Sequence, residues 1–136
     1  MVIEFIDEVV FGVREAAWLS IRAELGLSYV SIGLLLTLPS LMADVLEPVL
    51  ALASCSGRRP AIIAVGGVAF ALALVLCAVA RSFGFLLIAF MMLYPASGAF
   101  VSLTQATLMD TDPTRHETNM ARWAFAGSLG AIIRIL

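Results

Sequence analysis

Two carboxylates in an otherwise apolar stretch are the first residues here with chemistry to offer. Asp44 and Glu47 lie in the run 28–52, and with Gly33, Thr37 and Ser40 they recur at steps of four and three, one face of a helix. A carboxylate at membrane depth is expensive unless it is paired, hydrated or part of an ion path, so Asp44 is a functional-site candidate by default. Thr37 and Ser40 read more simply as small residues at a helix contact. A second charged set lies upstream. Glu4, Asp7, Glu8, Arg14 and Glu15, with Arg22, fall within an arc of roughly 120° on a helical wheel, interrupted by Phe11 and Trp18. This face is mainly acidic, which suits a water-filled cavity inside a bundle better than anionic headgroups. The chemistry that follows is movement of a proton or a small solute, with Asp44 or Glu15 carrying the proton and Glu8, Arg14 and Glu47 along the path. If the first two helices are antiparallel, Arg14 stands about 6 Å along the axis from Asp44, and the two are expected to face each other.

Such residues need helices to hold them, and the composition provides for that. Hydrophobic residues make up 62% of the 136 and charged residues 13%, with a mean hydropathy of +1.04. Soluble domains are closer to half apolar and a quarter charged, so the chain is expected in a bilayer as an all-α, polytopic membrane protein. All eight basic residues are arginine, with no cluster suited to nucleic acid. Glu4, Asp7 and Glu8 stand where a signal peptide would have its basic flank and apolar core. Cys55 and Cys77 have no paired spacing for a metal or redox site, and His116 reads as a solvated loop residue. No nucleophile elbow or paired catalytic motif is present, so neither an enzyme nor a cofactor is expected.

The chain is expected to form one membrane domain over 1–136, with helices at about 2–22, 28–52, 61–80, 85–109 and 114–136. The stretch Ser54-Cys55-Ser56-Gly57-Arg58-Arg59-Pro60 reads as a polar loop between two spans, with Pro60 opening the next helix. Pro39 and Pro48 interrupt the second span. Gly66 and Gly67 mark a close contact on the third. Tyr94, Gly98 and Gln105 share one face of the fourth, which adds Tyr94 and Gln105 to the residues expected along the path, and Pro95 with Gly98 reads as a break bordering a cavity. Asp110 and Asp112 end that span, and Thr114 with Glu117 has capping-box spacing for a fifth helix, where Trp123 suits the interface. That helix reaches Leu136 about halfway across, so four full spans and a partial fifth are expected. Arginines at 58, 59, 115 and 122, against 22 and 81, put the amino end in the cytoplasm of a cell or inner membrane.

The residues between the second and third helices resemble a signature loop of the major facilitator superfamily, G-x-L-x-D-R-x-G-R-R. Leu52, Gly57, Arg58 and Arg59 match it, while Leu50, Ser54 and Cys55 stand in place of the first Gly, the Asp and the first Arg. In the fourth helix Gly98 matches the R-x-x-Q-G of proton-coupled members, with Tyr94 and Ser97 at the Arg and Gln positions. Gly127 and Gly130 are similar to the glycine-rich fifth helix of exporters, whose Gly-Pro is replaced by Arg134 and Ile135. The resemblance implies an amino-terminal portion of a twelve-helix transporter, with the bilayer, a small solute, protons and the remainder of the transporter as partners. Two other readings are a small four-helix multidrug pump acting as a dimer, and a non-transporting membrane assembly or accessory subunit.

Overall fold

The computed structural model describes residues 2–111 and 113–135, with positions 56, 113 and 133–135 described by backbone alone. Asp112 and Leu136, expected at two helix ends, and the Arg134 side chain lie outside the described residues. All regular structure among the described residues is helical: α1 (Val2–Leu25), α2 (Tyr29–Ala53), α3 (Arg59–Val79), α4 (Phe83–Ser97), α5 (Leu103–Thr111) and α6 (His116–Ile135). Among the described residues three helical runs are long and apolar enough to cross a membrane: Tyr29–Ala53, Arg59–Val79 and Phe83–Thr111. This is an all-α polytopic membrane fold. Helix α1 has the length to span but carries too many charges to qualify by composition. The described residues form two compact units: Ile21–Leu103, and the residues on either side of it.

Local chemistry sets the helix ends. Gly26 adopts a left-handed φ of +59°, so that the Leu27 amide reaches back to the Arg22 carbonyl at 3.1 Å and closes the end of α1. Arg22 completes this turn. Its Nε donates to the Leu27 carbonyl, and its guanidinium lies 4.1 Å over the Tyr29 ring and donates to the Tyr29 hydroxyl. Ser28 and Ser82 cap α2 and α4 by accepting from the Ser31 and Phe85 amides.

In the unit Ile21–Leu103, α4 packs against both α2 and α3. The buried residues of α4 are Leu86, Ala89, Phe90, Leu93, Ala96 and Ser97. Leu35, Pro39 and Ala43 are the buried residues of α2, and Gly66, Phe70 and Ala73 those of α3, each set at helical spacing. The opposite faces are exposed and apolar: Leu34, Leu38, Leu41, Val45, Val49 and Leu52 on α2, and Val65, Val68, Leu72, Val75 and Val79 on α3. Two apolar faces per helix, one against protein and one free, are what a bilayer solvent permits. Gly66 lets α3 come so near that a methyl group there would stand 3.0 Å from the Ala99 Cβ, and the Phe100 ring lies over Gly67.

Two segments depart from the expected pattern. The arginine stretch is not an open loop: Ser54–Arg58 forms a five-residue wide turn of π type joining α2 to α3. Ser54 is buried and donates to the Ala51 carbonyl at 2.6 Å, and Cys55 donates to the same oxygen. Gly57 takes φ +76°, which requires glycine and explains it there. A second wide turn, Gly98–Ser102, joins α4 to α5. It interrupts the 3.6-residue period on which a shared face of Tyr94, Gly98 and Gln105 depends. Helix α6 begins at His116 after a short 3-10 turn at Pro113–Arg115, one residue later than a cap at Thr114 implies.

Candidate functional site

Helix α2 carries three faces, and the third is polar. Gly33, Thr37, Asp44 and Glu47 are exposed on it, with Ser40 half-buried, between the buried and the apolar exposed faces. Along this face a cavity of about 330 Å³ opens against the second wide turn. Asp44, Glu47, Pro48, Leu50 and Ala51 line it from α2, and Gly98, Ala99, Ser102 and Leu103 line it from the other wall.

The cavity depends on two backbone irregularities. Pro48 has no N–H to give the Asp44 carbonyl, its partner in a regular helix, so Asp44 contributes a main-chain acceptor beside its carboxylate. Across the cavity, Gly98 opens the turn without a side chain, and the Glu47 carboxylate occupies the space a side chain would fill. A Cβ at 98 would stand 2.6 Å from Glu47 Oε1 and 3.2 Å from its Cγ. Two acidic residues one turn apart and Ser102 therefore line one compartment. Such a set offers acceptors to hydrogen-bond donors and to cations.

Of the other sequence candidates in this unit, Tyr94 is half-buried against Phe90, with ring centroids 6.3 Å apart. It does not line the cavity. In the signature stretch Leu52 is exposed, Gly57 supplies the turn, Arg59 opens α3 and Arg58 is exposed.

The other unit holds the charged face of α1. Arg14 stacks on Phe11, 4.4 Å from the ring centroid, which accounts for a ring inside the charged arc. Glu15 is exposed. Arg14 and Asp44 belong to different units. Glu8 lies where α1 meets α6: a Cβ at Gly130 would come within 2.7 Å of the Glu8 Cβ and 2.9 Å of the Phe5 carbonyl. Gly127 gives Glu4 the same room. Trp123, expected at a membrane interface, is buried against protein at 4% exposure, and its indole N–H donates to the Glu4 carboxylate. Gln105 donates to the Met120 sulfur at 3.4 Å and does not line the cavity.

Sequence reasoning missed Gly98 as the seat of the Glu47 side chain, along with Ser102 and the Glu4–Trp123 bond. Pro95 followed by Gly98 marked the break. Nothing in the spacing marked the Trp123 partner. Among the described residues no group of three His, Cys, Asp or Glu side chains is arranged to hold a metal ion.

A family model described as the Major Facilitator Superfamily matches residues 10–134. No curated protein and no solved structure matches the chain.

Proposed function

Since the chain belongs to the major facilitator superfamily, we propose that its Asp44–Glu47 cavity forms part of the path of a proton-coupled transporter of small solutes. The observation that carries this is the pair of carboxylates one turn apart on α2, facing the wide turn at Gly98 across an open cavity. A permanent structural role would be better served by burying these groups with fixed cations, whereas both are exposed to the cavity. In this reading Asp44 and Glu47 take up and release the proton. Main-chain oxygen and Ser102 orient the solute, and loss of charge at the carboxylates changes how tightly it is held. Arg14, Glu8 and Glu15, on the polar face of α1 in the other unit, are further candidates for handling the proton or solute. The amino end lies in the cytoplasm of a cell or inner membrane, a placement supported by the arginine bias. The family assignment decides against a small four-helix pump.

The test is reconstitution of the chain in vesicles loaded with a pH-sensitive dye, challenged with small organic cations, zwitterions and neutral solutes. At least one class should cause solute-dependent proton flux that Asp44→Asn and Glu47→Gln each abolish. Flux unaffected by both substitutions would overturn the assignment of these carboxylates.

A further inference from the structure

A second cavity, of about 490 Å³, lies on a different face of the same unit, bounded by α2, α3 and α4. Its walls are apolar: Met42 and Leu46 from α2, Ile62 and Val65 from α3, and Met92 from α4. The stretches 42–50 and 61–69 each advance about 12 Å at the helical rise, so this is an elongated slot. It opens among residues exposed on the apolar faces, Val65 at 69% and Met92 at 37%. Leu50 and Ala61, which line one end, flank the first wide turn, and Arg58, the last residue of that turn and exposed, is among the residues that border the slot there. Among the described residues no acidic residue lines the slot, and Arg58 is its one charged residue.

We infer that this slot seats one acyl chain of an anionic phospholipid, with the lipid phosphate on Arg58. The occupant must be apolar over roughly 12 Å and negative at one end, because the slot has that length and that single charge. A turn joining two spans lies at a bilayer surface, where headgroup phosphates are found, so the charge sits at the matching depth. An apolar helix from elsewhere in a transporter would fill the slot but would leave Arg58 unmatched. The inference rests on the membrane fold alone and stands whether or not the Asp44–Glu47 cavity carries protons.

The experiment uses the whole chain in neutral detergent, titrated with phosphatidylglycerol or phosphatidylcholine of the same acyl composition, with retained lipid read by native mass spectrometry. Phosphatidylglycerol should be retained roughly fivefold better, the effect of one basic side chain at a charged surface. Arg58→Gln should remove the preference, bringing phosphatidylglycerol retention down to that of phosphatidylcholine. Ile62→Trp should reduce retention of both lipids by filling the slot, and Val65→Trp serves if the first variant loses its helical circular dichroism. Glycerol phosphate, the headgroup without the chain, should not compete. Equal retention of the two lipids by the unmodified chain would overturn the inference. So would a preference that survives Arg58→Gln, retention unchanged by a folded tryptophan variant, or full competition by glycerol phosphate.

Discussion

The Glu47 side chain lies across Gly98 so closely that its Oε1 would stand 2.6 Å from a methyl group at that position. The contact joins a carboxylate on α2 to the first residue of the wide turn between α4 and α5. The atom nearest the missing side chain is the far end of a flexible chain, whereas at Gly66 and Gly130 main-chain atoms also stand within 3.1 Å. That difference separates a glycine whose neighbour can move aside from glycines whose neighbours are fixed.

Gly98→Ala should therefore displace the Glu47 carboxylate without unfolding the chain. Stability is expected to stay within about 1 kcal/mol of the parent, as for substitutions that a side chain can accommodate by moving. Solute-dependent proton flux should fall several-fold. Adding Glu47→Asp, which shortens the obstructing side chain, should restore part of it. Thermal unfolding followed by circular dichroism, paired with vesicle flux, checks both halves.

Gly130→Ala should behave in the opposite way. The new methyl group meets the Glu8 Cβ at 2.7 Å and the Phe5 carbonyl at 2.9 Å, so the helices themselves must part. A loss of about 1–3 kcal/mol is expected, the usual effect of overpacking a close contact. Gly33→Ala is the matched control, since nothing lies within 4 Å of its missing Cβ. It should be neutral or stabilising by about 1 kcal/mol through helix propensity. Unfolding titrations in mixed micelles read the contrast.

Trp123→Phe should remove the hydrogen bond to Glu4 and leave a half-buried carboxylate without that donor. The expected destabilisation is about 1–3 kcal/mol, the range for a buried acceptor losing its partner. Glu4→Gln keeps an acceptor for the indole and should cost less. Chemical denaturation of the two variants checks the order.

Cys55 is exposed within the first wide turn and so reports topology without an introduced probe. In intact cells a membrane-impermeant maleimide should leave Cys55 unmodified and should label a cysteine placed at Ser82 in a Cys55→Ser, Cys77→Ser background. Permeabilised cells should label both sites. The reverse pattern in intact cells would invert the orientation.

Long apolar runs made α2, α3 and the helical run Phe83–Thr111 legible in the sequence to within about two residues at each end, the usual uncertainty of helix boundaries. The polar face of α2 was legible for the same reason, since steps of three and four survive both prolines. The wide turns were not. Ser54–Arg58 is rich in small and polar residues and reads as a loop, yet its hydroxyl and thiol bond back to the Ala51 carbonyl and hold it helical. Gly98–Ser102 has no compositional mark beyond its first glycine, and what it faces depends on a side chain fifty-one positions earlier. The partner of Trp123 was not legible because where an indole N–H finds an acceptor depends on tertiary packing, and Glu4 lies at the far end of the sequence.

Pro48 gives Asp44 a property that no substitution of Asp44 can remove. The oxygen released by the missing N–H belongs to the backbone, so it persists in Asp44→Asn and carries no charge that pH could alter. Charge and hydrogen-bonding capacity at this turn are therefore controlled by two different positions in the sequence. Asp44→Asn removes the first and keeps the second, while Pro48→Ala returns the oxygen to the helix and keeps the carboxylate. A solute held by its positive charge and one held by its donors would respond to these changes in opposite order.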